Sequence, residues 1–205
     1  MPESMSLDAG TIVLMVLRWF HYIFGIAWIG HLYFFNFVNV PFAKTLDADG
    51  KKKVVPQLMP RALWWFRWGA MITLLTGWSY LIGKVQLNHW GMQELLGSYW
   101  GQWILTGAIL GTIMWFNVWF SIWPIQKKII TGVKTGVPAD AALVRKAFLA
   151  SRLNTYLSLP MLWCMGAASH FPLYTPLVLF VVTAVSIVIT WHLIEKVAPK
   201  VGSNF

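Results

Sequence analysis

The sequence predicts an all-α, polytopic membrane helix bundle with five transmembrane helices, forming a single integral membrane domain over residues 1–205. Three observations predict it. Of the 205 residues, 58% are hydrophobic and only 11% are charged. A soluble domain carries about 25% charged residues, so charge cannot cover this surface. Aromatic residues make up 16%, with 14 Trp, a composition suited to helix ends at a lipid–water boundary. Finally, five apolar stretches, at about 11–41, 63–82, 100–123, 147–171 and 173–194, each come near or above the ~20 residues that cross a bilayer core.

The first stretch begins with acidic Glu3 and Asp8, and its apolar run is longer than the core of a cleaved signal peptide, so it reads as a membrane span. Pro41, Pro60, Pro124 and Pro172 fall at stretch edges, where chain breaks are expected. Pro160 lies inside the fourth stretch and predicts a kink. The basic residues then orient the bundle. Lys44, Lys51, Lys52, Lys53 and Arg61 fall between stretches 1 and 2. Lys127, Lys128, Lys134, Arg145, Lys146 and Arg152 fall between stretches 3 and 4 and at the start of stretch 4, and Lys196 and Lys200 follow stretch 5. The alternate connections hold only Lys84 or no basic residue. The positive-inside rule then predicts a periplasmic N-terminus and a cytoplasmic C-terminus in a bacterial inner membrane. This distribution accounts for the net charge of +9 without any nucleic-acid partner. The single Cys164 excludes an intrachain disulfide framework and a Cys-ligated zinc site.

Five histidines carry the candidate chemistry: His21, His31, His89, His170 and His192. All but His89 lie in or at the ends of the expected spans, where ionisable groups are rare and point to function, although each of these four also fits neutral interhelical hydrogen bonding. Arg18 and Trp19 read as the outer anchor of the first helix, which places His21 ~5 Å below that edge. The fourth helix runs outward and ends at His170, so the two histidines share a level. Histidines on antiparallel helices at one level suit ligation of one haem iron from both sides. Gly25, four residues after His21, is on the same face and leaves room for a flat macrocycle. Arg18, three residues before His21, suits a propionate. A looser second pair, His31 and His192 with Arg67 toward propionates, lies in the inner half. The ~1000° of turn from His21 to His31 sets these two side chains about 80° apart around the helix. His89, beside Asn88 and Trp90, reads as a loop residue or docking contact.

Other chemistries lack their signatures. There is no Gly-rich phosphate loop, H-E-x-x-H pair or nucleophile elbow, and the expected spans hold no acidic residue. Asn36, Asn117, Asn154 and Ser158 read as interhelical hydrogen-bonding groups.

Three blocks resemble one known family. Arg18-Trp19-Phe20-His21 with Gly25-Ile26-Ala27-Trp28-Ile29-Gly30, Trp64-Trp65-Phe66-Arg67-Trp68, and Leu157-Ser158-Leu159-Pro160-Met161 with Ser169-His170-Phe171-Pro172 are similar to the N-terminal, haem-type membrane domain of the membrane-bound urate oxidases. Members of that family typically add a C-terminal cytochrome c domain. This chain ends at Phe205 without a C-x-x-C-H motif, and it has Trp64 where the family tends to have histidine. The resemblance implies a haem-type membrane core with His21 and His170 as its matching histidines. A second resemblance, to bacterial haem-dependent protoporphyrinogen oxidases, rests on the general pattern of a small helical membrane protein with a histidine early in its first span.

The leading expectation is therefore a b-type cytochrome-like subunit holding one haem b, or two. It would pass electrons between a periplasmic partner such as cytochrome c and other membrane subunits. The alternatives are oxidation of urate or a related small molecule, protoporphyrinogen oxidation, and a non-catalytic membrane scaffold.

Overall fold

The structure, a computed structural model, describes residues 8–137 and 139–202; Glu3 and Phe205 lie outside the described residues. Among the described residues there are eight α-helices and three π-helical turns, and no strand. The helices are α1 (Ala9–Tyr33), α2 (Val40–Thr45), α3 (Ala48–Leu87), α4 (Met92–Gly97), α5 (Tyr99–Phe116), α6 (Trp123–Thr135), α7 (Ala141–His170) and α8 (Pro176–His192). The π turns Phe34–Asn39 and Asn117–Ile122 join α1 to α2 and α5 to α6, and Leu193–Val197 extends α8. Three continuous helical stretches are long and apolar enough to cross a membrane: Ala9–Thr45, Tyr99–Thr135 and Pro176–Val197. Helices α3 and α7, which hold the second and fourth expected spans, are 40 and 30 residues long. They are more polar, with Thr73, Thr76 and Arg67 on one and Asn154 and Ser158 on the other.

The prolines behave differently from the expectation. Only Pro172 lies in a break, between α7 and α8. Pro60 is inside α3, while Pro41 and Pro124 sit in the first turns of α2 and α6. The π turns explain why the helix runs on past Pro41 and Pro124. Proline has no N–H for the carbonyl four residues back, and its ring crowds that carbonyl. Each π turn ends two residues before a proline (Pro41, Pro124 or Pro199), and the residue just before that proline donates five residues back: Val40 to Phe35, Trp123 to Val118, Ala198 to Leu193. The wider turn shifts the ladder by one residue, and the rod continues.

The basic segments expected as loops are likewise helical. Lys51, Lys52 and Lys53 lie in the first turns of α3, just after the Asp47 N-cap, whose carboxylate accepts from Gly50 N–H at 2.7 Å. Arg145 and Lys146 lie on α7. These helix extensions gather at one end of the bundle, which we call the basic end. Ion pairing of Arg152 with Glu195 at 3.9 Å and the Asn36–Ser151 hydrogen bond at 2.9 Å tie α7 to the ends of α8 and α1 there. The far end holds the start of α1, the end of α3, α4, the start of α5 and the end of α7.

Helix α1 lies along α3 on a strip of small residues. A Cβ on Gly69 would stand 3.1 Å from the backbone nitrogen of Trp28, so glycine lets the two backbones approach. Trp28, Leu32, Phe66, Ala70, Met114 and Val118 form the main core. A smaller cluster, Trp103, Cys164 and Ala167, joins α5 to α7. The expected asparagine contacts form. Asn117 donates to Asn154 Oδ1 at 3.0 Å, Asn154 donates to the Met114 carbonyl at 2.9 Å, and Ser158 meets Tyr33 at 3.0 Å. Outside, the apolar side chains are turned away from the core, with Ile26 75% and Phe180 70% exposed.

Candidate functional site at the far end

His21 projects from α1 into its seam with α3. Its Nδ1 lies 2.9 Å from the Thr73 carbonyl, an acceptor only, so Nδ1 carries the proton and Nε2 keeps its lone pair. The ring fits because position 77 is glycine: a Cβ there would stand 2.8 Å from His21 Cε1. An imidazole whose Nδ1–H is held by a carbonyl is in the state required of an Nε2 metal ligand. Gly25, one turn on, faces α3 rather than open space, with an added Cβ 3.9 Å from Thr73 Cγ2. An added side-chain carbon there would make ordinary van der Waals contact with α3.

One turn before His21, Arg18 donates from Nη2 to the Tyr80 hydroxyl, and its Cζ lies 4.8 Å from the Tyr80 ring centroid. Lys84, one turn after Tyr80, places Nζ 4.3 Å from the Trp100 ring centroid. Burial, and next the charge of Arg18, hold the Lys84 ammonium below the usual lysine range. Two cations from α1 and α3 thus face each other with aromatic partners and no carboxylate paired to either; Arg152–Glu195 is the ion pair found among the described residues. An uncompensated cation pair favours an anion between or beside it.

His170 ends α7 and is exposed. It lines an open cavity of about 390 Å³ with Ser98, Tyr99, Trp100, Phe171 and Pro172. Trp100 is shared: one part of it walls the His170 cavity and its ring carries Lys84. The register agrees with a common level for the two histidines. The Tyr33–Ser158 contact fixes α1 against α7, and His21 and His170 each lie twelve residues from it toward the far end, ~18 Å along each helix. Their side chains nevertheless meet different neighbours, His21 the α1–α3 seam and His170 the mouth of α5.

The second expected set is not gathered. His31 Nδ1 bonds the Ala27 carbonyl on its own helix at 2.7 Å, and His192 is exposed at the end of α8. Arg67 turns instead to Trp68, Trp119 and Trp123, with Cζ 5.6, 5.1 and 4.1 Å from their ring centroids. His89 occupies the turn after α3 with φ 53°. Among the described residues, no three His, Cys, Asp or Glu side chains converge as a metal cluster, and a haem needs only its axial ligands.

Sequence reasoning missed Tyr80, Lys84 and Trp100. The available signal was the four-residue spacing of Tyr80 and Lys84, which puts them on one face. Their meeting with Arg18 across more than sixty residues was not visible.

A family model described as Urate oxidase N-terminal matches residues 80–201. The matched region runs from Tyr80 through Lys84, Trp100 and His170 past the end of α8 to Val201. No curated protein and no solved structure matches the chain.

Proposed function

Because this chain belongs to the urate oxidase N-terminal family, we propose that it is the membrane core of an oxidase that takes electrons from urate or a related small heterocyclic anion at the far end. The observation that carries the reading is the cation pair Arg18 and Lys84, set against Tyr80 and Trp100 beside the His170 cavity. A flat anion needs positive charge at its edge and aromatic surface at its face, and these four residues provide both. The apolar exterior and the long apolar stretches support a membrane location. On this reading all five expected spans cross, with the far end periplasmic and the basic end cytoplasmic in a bacterial inner membrane.

Haem b is the cofactor this reading calls for, and His21 fits one of its ligands: Nδ1–H is engaged by Thr73 and Nε2 is available. His170, exposed at the mouth of α5, would be the other. The haem would supply one-electron redox chemistry at a potential set by axial ligation and burial. The protein's own residues do the rest. Arg18 and Lys84 hold the anion, Trp100 sets its plane, and the Thr73 carbonyl keeps His21 in one tautomer. Electrons leave to a periplasmic redox protein such as cytochrome c.

Urate-dependent reduction of added cytochrome c by the purified full chain tests this. Wild type should turn over, and Arg18→Gln and Lys84→Gln should each raise KM by about tenfold or more, the scale of one lost charge-assisted contact. Haem-containing protein that ignores urate would leave the electron-transfer subunit instead, and a colourless folded protein would leave a scaffold.

A further inference from the structure

We propose that Arg67, Trp119, Trp123 and Lys127 form a binding site for the phosphate of an anionic glycerophospholipid. Arg67 stands against the rings of Trp68, Trp119 and Trp123. Its Nε is buried with no acceptor, and so is the indole Nε1 of Trp119. A buried donor without an acceptor costs about 1–3 kcal/mol, and here two such donors belong to stacked side chains, with no ion pair to Arg67 among the described residues. Lys127, one turn beyond Trp123, sets its Nζ 5.8 Å from that ring and adds a second charge. The site therefore offers only donors and positive charge, which is the complement of a phosphate monoester or diester oxygen.

The surroundings select a lipid as the bearer of that phosphate. Trp64 and Trp65, on the neighbouring turns of α3, are about half exposed and offer apolar surface for acyl chains. Arg61, six residues toward the basic end, lies ~9 Å along the same helix. Arg67 thus stands where the exposed apolar surface gives way to the basic one, the depth at which tryptophans and headgroups meet. Basic pockets between helices at such a boundary recognise anionic lipid headgroups. The site lies away from the far-end residues and does not depend on the oxidase reading.

The experiment uses the full chain, stripped of lipid in a neutral detergent and titrated with phosphatidylglycerol or phosphatidylcholine of the same acyl chains. Native mass spectrometry counts the retained lipid. Wild type should retain phosphatidylglycerol about tenfold better than phosphatidylcholine, which carries the same phosphodiester but adds a choline cation that Arg67 and Lys127 repel. Arg67→Gln and Lys127→Gln should each bring that preference down severalfold, while Lys128→Gln should keep it. Lys127 is exposed, so its variant decides the matter if Arg67→Gln fails to fold. Equal retention of the two lipids by wild type, or an undiminished preference in Lys127→Gln, would overturn the proposal. So would binding of inorganic phosphate as tight as that of the lipid, which would assign a soluble anion.

Discussion

Gly77 determines whether His21 can lie on α3 at all. An alanine there would put its Cβ 2.8 Å from His21 Cε1, and the ring would have to leave the Thr73 carbonyl. Replacing glycine by alanine in a helix also stabilises by about 1 kcal/mol, while overpacking costs about 1–3 kcal/mol. Gly77→Ala should therefore lower thermal stability only slightly yet displace His21, which the imidazole NMR shifts would report; unchanged shifts would contradict the seam geometry. Gly69→Ala should cost more, because its Cβ would meet the Trp28 and Phe24 backbone at 3.1–3.2 Å rather than a movable side chain. At Lys84 the prediction concerns pH. Burial and Arg18 lower its pKa, so in the folded protein it sheds its proton at a lower pH than an ordinary lysine near 10.4. Between the folded and unfolded pKa values the unfolded chain binds more protons, so stability rises with pH there, while anion affinity falls. Urate KM should accordingly climb on the alkaline side, and Lys84→Arg should flatten that limb; a KM independent of pH in wild type would remove Lys84 from the site. His21 and Arg18 stand out in the sequence because both lie on one face of an apolar helix. Lys84 was not, since a lone cation between two apolar stretches reads as a solvated loop until α3 is packed on α1.

The helices themselves were readable from apolar length, and their ends were not. Proline reads as a stop at positions 41, 60 and 124, but a π turn before Pro41 and Pro124 shifts the hydrogen-bond ladder by one residue, with Val40 and Trp123 donating five residues back, and the helix runs on. Runs of lysine between apolar stretches read as loops, but helices can extend beyond an apolar core when their charges reach solvent and an N-cap such as Asp47 starts them. The polar positions in the helices were read correctly as links between helices. Asn154 is fully buried, accepts from Asn117 beside the second π turn, and donates to the Met114 carbonyl. Asn154→Ala removes both bonds, and an interhelical hydrogen bond in a membrane is worth about 0.6–2 kcal/mol. Thermal unfolding should thus drop by an amount of that order, and helix content should persist; an unchanged midpoint would mean the asparagine pair carries no net stability.

At the scale of the whole molecule, the bundle separates two ends of different chemistry. The basic end collects Lys51, Lys52, Lys53 and Arg61 at the start of α3 with the lysines and arginines of α6, α7 and the chain after α8, and the far end collects Arg18, Lys84, Trp100, His21 and His170. Charge bias alone made this division legible, because loops alternate between ends in any antiparallel bundle. What charge bias left open was which helices pair. The grouping of α1 with α3 and of α5 with α7 depends on glycine positions 69, 77 and 107, where small residues permit close approach. Reporter fusions should place Lys51–Lys53 and Lys128 in the cytoplasm and His89 outside, as the positive-inside rule requires; a cytoplasmic His89 would reverse the proposed orientation. The central claim is that the far end oxidises a heterocyclic anion through a haem held by histidine. The most direct measurement is the absorption spectrum of the purified full chain, recorded without oxygen before and after addition of urate. The account predicts a low-spin b-type spectrum whose haem is fully extracted by acid acetone, is reduced on adding urate, and is lost in both His21→Ala and His170→Ala. A folded chain without pigment, or a pigment indifferent both to urate and to the loss of His21 and His170, would contradict it.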